Sequence, residues 1–156
     1  MPEQLAEDFS ARMASAEADL RGITELEATE PYKPEAWTRK QVLGHLLDSA
    51  INNHVRFVMA ALDAEYSGPA YHAQGWVAIH DYANILWSEL LDLWRAHNAL
   101  LTRVVRQVPE ERLTAECRIG SDQPVTLRYV IEDYLHHMEE HVAEITESQA
   151  PRRMSA

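Results

Sequence analysis

The sequence predicts an all-α protein, an antiparallel four-helix bundle with a long connection between its second and third helices. Three observations carry this expectation. Only 5 Gly and 7 Pro punctuate the 156 residues, too few turn signals for an all-β sandwich or barrel. Apolar residues recur at helical spacing in four long stretches, each wide enough to bury one face. No internal repeat or low-complexity tract interrupts them, so four helices in one chain favour a bundle over a solenoid. At this length a single domain spanning residues 1–156, with one core, is expected.

The first helix runs roughly from residue 3 to 26, because Leu5, Phe9, Met13, Ala16, Leu20 and Ile23 share one face while the other side is charged. EATEPYKPEAW carries two prolines and no period, and reads as a connector ending near Trp37. Thr38 with Gln41 forms a capping box that starts the second helix, which continues to about Leu62 before AEYSGPAYH interrupts it. The 63–80 segment is the long connection, with room for a crossover. The third helix begins near Asp81 and runs to Val108, with a stripe of Leu86, Leu90, Leu93, Leu100, Leu101, Val104 and Val108 that includes His97; Pro109 stops it. EERLTAECRIGSDQ reads as a loop with a short two-stranded turn around Gly120. Thr126 caps the fourth helix, LRYVIEDYLHHMEEHVAEITES, and the tail APRRMSA is expected to fray.

Composition excludes several functions. The net charge is −11, from 25 acidic against 14 basic residues, and no basic stretch offers a phosphate footprint for nucleic acid. The single cysteine, Cys117, makes neither an internal disulfide nor a multi-cysteine zinc site, which fits a reducing compartment. No apolar run is long enough to span a bilayer, and the acidic start MPEQLAEDF lacks a signal-peptide layout. A cytoplasmic protein with no membrane partner is expected.

The histidines hold the chemistry. On the fourth helix His141 lies within the apolar arc and His137 at its edge, whereas His136 points to the charged side with Glu132, Glu140 and Glu147. Two imidazoles at i and i+4 can share one cation, and can equally be a core-edge pair satisfied by Asp133 or Glu144. With a metal present, those two carboxylates become outer partners that fix the imidazole tautomers. On the second helix His45 begins a polar stripe with Asp48, Ser49, Asn52 and Arg56, which is either a solvated face or the lining of a cleft. His54 lies on the opposite side with Leu47, Ile51 and Val58, where a core histidine with one hydrogen bond is expected.

WTRKQVLGHLLDSAINNHVRF, GWVAIHDY, LWSELLDLWRAHNAL and PVTLRYVIEDYLHHMEEHVAEI, in that order between Trp37 and Ile145, resemble the DinB/YfiT-like superfamily of bacterial four-helix metal proteins. The resemblance implies a divalent metal held by His45, His137 and His141, the motif around His45 being the specific part. Three imidazoles suit zinc or nickel, and also iron or copper. They leave a position open on the ion, the pattern of a catalytic site that activates water or holds a substrate thiol as thiolate. Characterised members include bacillithiol- or mycothiol-dependent thiol-S-transferases, a maleylpyruvate isomerase and hydrolases. The resemblance therefore implies an enzyme acting on a small molecule, with a low-molecular-weight thiol as cosubstrate. Asp48, Asn52 and Arg56 then orient the water or bind an anionic group, unless they only solvate the surface. Tyr71 and Trp76 in the long connector either cover the site or simply pack.

The alternatives are a non-catalytic metal-binding or structural bundle, closed by a fourth ligand for which Cys117 is the soft candidate, and a module that carries a small apolar ligand. A homodimer is expected because family members pair and Trp87 lies beyond the core stripe.

Overall fold

The computed structural model describes residues 1–147; the tail APRRMSA, and with it the expected fraying, lies outside them. Four long helices form the bundle: α1 (Pro2–Arg21), α3 (Arg39–Asp63), α5 (Trp87–Gln107) and α6 (Leu127–Glu147). The short helices α2 (Glu25–Ala28) and α4 (Ala73–His80) and the strands β1 (Glu65–Gly68), β2 (Glu116–Ile119) and β3 (Val125–Thr126) connect them.

The expected first helix is split in two. At Gly22 the backbone N–H turns back to the Asp19 carbonyl and the next N–H, of Ile23, to the Leu20 carbonyl, and Thr24 with Glu27 forms a reciprocal capping box that starts α2 afresh. That box satisfies two backbone donors that continuing α1 would leave to the helix interior. The capping box at Thr38 and Gln41 stands as expected and starts α3.

Helices α1 and α3 sit diagonally, each flanked by α5 and α6. α1 lies alongside α6 in the same direction, Phe9 stacking on Tyr134 at 5.7 Å and Arg12 paired with Glu139 further along both. α3 runs against α6, since Arg39 at its start donates to the Ile145 carbonyl while Phe57 near its end meets Tyr134. The starts of α3 and α5 are held together by one residue: Glu25 pairs with Lys40 Nζ at 2.5 Å and accepts from the Trp87 N–H at 2.8 Å. α3 and α5 therefore run the same way, which is what a crossover in the 63–80 segment produces.

The crossover carries more structure than an irregular connector. After Ala64, in the left-handed region at φ 66°, β1 pairs in parallel with β2, and β2 pairs antiparallel with β3 through the turn at Gly120. The two-stranded turn read from the sequence thus gains a third strand. α4 then returns along α3, and Tyr82 is buried on Gly44, where an added Cβ would lie 2.0 Å from the Tyr82 ring. That seating, with Asp81 at φ 52°, delays the start of α5 to Trp87 rather than Asp81.

The buried face of α5 also differs from the expected stripe. Trp87, Leu90, Leu91, Trp94, Leu101 and Val105 point into the core, while Leu86, Leu93 and Leu100 are 57%, 53% and 49% exposed. Two indoles bury more apolar area than the leucines they displace, and the Trp87 Nε1–H finds the Leu20 carbonyl at 3.2 Å. Trp87 is therefore a core residue and no part of a dimer surface.

Candidate metal centre

His45 enters the bundle on α3 seven residues after the Thr38 cap, and His137 and His141 enter from successive turns of α6. Because the two helices are antiparallel neighbours, the three rings meet: centroids are 5.2 Å apart for His45 and His137, 4.9 Å for His45 and His141, and 4.5 Å for the α6 pair. One ring nitrogen from each lies within 4.8 Å of the others. The Nε2 atoms of His137 and His141 are 3.1 Å apart. Two nitrogens at the usual zinc distance are about 3.3 Å apart at a tetrahedral angle and about 2.9 Å at a right angle, so the observed separation falls between the two geometries.

The residues fit a cation. His45 is buried, and its Nδ1 has no hydrogen-bond partner, an arrangement that costs free energy unless something electrophilic faces the ring. Burial, then the neighbouring His141 and His137 rings, push the His45 pKa down to about 4. The same two causes, burial first and then His141, lower His137, against an upward pull from Asp133, Glu140 and Glu144. Both rings are accordingly neutral near pH 7, the form that offers a lone pair to a metal.

The surroundings sort the other sequence candidates. Glu144 Oε1 lies 2.6 Å from His141 Nδ1; with the carboxylate accepting, that nitrogen carries the proton and Nε2 keeps its lone pair facing the centre. Tyr32 from the α2–α3 connector also reaches Glu144, and Trp37 covers His45 at 5.3 Å. Asp133 makes no hydrogen bond to His137 and lies exposed on a cavity wall. His136 is exposed and paired with Glu140 at 2.7 Å, as its helical phase requires.

The expected stripe of Asp48, Asn52 and Arg56 is divided. Beside His137 opens a cavity of about 390 Å³, and of the three only Arg56 lines it, with Ser49, Asn53 and Tyr71. Asp48 is fully buried under the crossover, where Oδ1 accepts from the Tyr82 hydroxyl at 2.6 Å and faces His80 Nδ1 at 3.0 Å. Burial pushes its carboxyl pKa up, with Tyr82 and His80 opposing. Asn52 donates to the Asp48 backbone carbonyl, so it is directed at its own helix. Sequence reasoning missed Asn53, although 45, 49, 53 and 56 follow helical spacing as regularly as the stripe chosen.

Tyr71 forms part of the cavity wall, backed by Trp76 at 5.7 Å. Cys117 also lines the cavity, buried on β2 with Sγ directed at the Ala115 carbonyl, and is outside the histidine cluster. Away from the centre, His54 Nδ1 and His97 Nε2 are 3.0 Å apart between α3 and α5, which is the one hydrogen bond expected of His54.

Three histidines from two antiparallel helices, converging beside a cavity, define a helix bundle of the kind that places a divalent ion between its helices. The DinB superfamily model matches residues 3–145, and the chain belongs to that superfamily. Among similar proteins, YfiT of Bacillus subtilis strain 168, named as a candidate metal-dependent hydrolase, is 24% identical over 145 residues, covering 92% of this chain and 80% of YfiT. A candidate metal-dependent hydrolase of Bacillus pumilus strain SAFR-032 is 27% identical over 132 residues, covering 84% and 75%. The solved structure of YfiT, described as a four-helix bundle of unusual topology, aligns with a TM-score of 0.80 at 24% identity over 99% of this chain and 86% of that one. A mycothiol-dependent maleylpyruvate isomerase aligns at 0.77 and 16% identity over 93% of this chain and 60% of its own. These structural likenesses establish the fold.

Proposed function

We propose that the chain is a metal-dependent enzyme of the hydrolase or thiol-S-transferase type, acting on a small molecule, with His45, His137 and His141 as the ligands of one divalent ion. The observation that carries this is the convergence of the three imidazoles on one point beside a cavity that His137 itself lines. When bound, the ion supplies Lewis acidity for activating water or holding a thiol as thiolate. The protein's own part is to keep three donors in place: burial favours the neutral forms of His45 and His137, and Glu144 orients His141. Cys117, outside the cluster, gives no support to closure by a fourth protein ligand. Zinc or nickel suits three imidazoles best, and the names of the relatives make hydrolysis or a mycothiol-type cosubstrate the first activities to screen.

The span of the family match, residues 3–145, supports reading the chain as one domain. No helix among the described residues is long and apolar enough to cross a membrane, and we place the protein in the cytoplasm on the strength of its lone free cysteine. We propose a homodimer through the joint face of α3 and α5, where Val55, Met59, Leu93 and Leu100 are exposed apolar residues.

Elemental analysis of untagged protein, then calorimetric titration of zinc and nickel into chelated protein, tests the centre. One ion per chain is expected, with severe loss in His45→Ala, His137→Ala and His141→Ala and near-wild-type binding in His136→Ala. Equal damage from His136→Ala, or no ion bound by wild type, would overturn the reading.

A further inference from the structure

The cavity beside the histidines contains a cation that nothing in the mechanism above uses. Arg56 is 7% exposed, and it lines the cavity. A buried charge is ordinarily held by a counter-ion, yet Arg56 is in no ion pair with any described carboxylate. Its hydrogen bonds are two long ones of 3.4 Å, to Asn53 Oδ1 and to the Pro69 carbonyl, out of five N–H groups that a guanidinium offers. The nearest buried acid on the same helix, Asp48, engages Tyr82 and His80 through Oδ1, and its Oδ2 has no hydrogen-bond partner, so neither oxygen pairs with Arg56. The Tyr71 ring faces the guanidinium at 5.9 Å, a contact that positions it without neutralising it.

We propose that Arg56 is an anchor for a carboxylate, so that the molecule acted on at the histidine centre is a small organic acid. That this acid is acted on rests on the reading of the histidine centre proposed above; the carboxylate site itself does not. A planar fork with free N–H groups matches a carboxylate in two parallel hydrogen bonds. A phosphate dianion is disfavoured: Arg56 is the only cation lining the cavity among the described residues, Asp122 and Asp133 line it too, and residues 49–56 lie mid-helix with no free backbone N–H groups to add. With Arg56 at one part of the wall and His137 at another, one end of the acid is fixed while another part is presented to the centre. The volume suits a molecule of metabolite size.

The test uses the full chain, untagged, in chelated and zinc-loaded forms, with butyrate, butyramide of the same size and inorganic phosphate as probes. Nitrogen-15 NMR follows the Arg56 side-chain N–H and the amides of Ser49, Asn53 and Tyr71. Butyrate is expected to move these signals in the chelated protein, and butyramide to bind about tenfold more weakly or not at all. Phosphate is expected to be weaker than butyrate. Arg56→Lys should keep part of the affinity and Arg56→Gln lose about 10- to 100-fold; the wild-type comparison of acid with amide decides the matter even if a variant fails to fold. Equal binding of butyrate and butyramide, stronger binding of phosphate, or butyrate binding that requires zinc would each overturn the proposal. Butyrate binding in a protein that takes up no metal would instead overturn the metal reading and leave the anchor standing.

Discussion

Acidifying the chelated protein should destabilise it through His45. In the folded chain burial holds this imidazole near pKa 4, against an ordinary value of 6.5. A base with its pKa depressed by folding contributes stability that is complete above about pH 6.5 and is lost as pH falls toward 4, because the unfolded chain takes up the proton first. At about 1.4 kcal/mol per pH unit, the loss by pH 5 is about 2 kcal/mol, and at pH 7.5 it is negligible. Urea denaturation of wild type and His45→Gln at both pH values, in chelator, isolates the contribution of His45 together with its coupling to His137 and His141, since titrating groups away from the cluster cancel in the double difference. Wild type should lose about 2 kcal/mol more than the variant on going from pH 7.5 to 5. Parallel losses in the two proteins would refute the argument that burial keeps this ring neutral. The same depression moves proton competition at His45 below the ordinary histidine range, so the contribution of this ligand to metal binding should persist as pH falls through 6.5.

Three further outcomes follow from particular contacts. Glu144→Gln removes the carboxylate that orients His141 at 2.6 Å and should weaken zinc affinity by about 10- to 100-fold, read by competition with a chromophoric chelator; an unchanged affinity would show that the pair does not tune the ligand. Gly44→Ala puts a Cβ 2.0 Å from the Tyr82 ring and should cost about 1–3 kcal/mol, seen as a lowered Tm. Retained stability there would mean that Tyr82 moves aside freely. Leu93→Glu with Leu100→Glu, both exposed, should shift sedimentation at micromolar concentration from dimer to monomer without lowering Tm; a wild-type protein that is monomeric throughout would end the dimer proposal.

What the sequence made legible depended on whether a helix has one apolar face or two. In α6 the acidic residues Glu132, Glu139, Glu140 and Glu147 all lie outside the apolar arc, so phase alone placed His137 and His141 inward and His136 outward, and the structure places them so. In α5 the leucines at 86, 93 and 100 and the tryptophans at 87 and 94 define two stripes one residue apart. Periodicity cannot choose between them. The choice falls to the tryptophans through their larger area and the Leu20 carbonyl that receives Trp87 Nε1, a partner 67 residues away that no local pattern reveals.

The same reasoning explains why the candidate site was only half legible. His45 and the α6 pair are brought together by two long helices whose existence the sequence shows plainly. Which polar residues beside His45 face the cavity is decided instead by the crossover, because α4 and Tyr82 cover the Asp48 side of α3 while Tyr71 and β2 wall the Arg56 side. About two turns of helix thus separate a carboxylate enclosed by its own partners from a guanidinium left with hydrogen-bonding capacity to spare. The crossover, by covering one and leaving the other on the cavity, is what turns a polar stripe into a charged site beside three histidines.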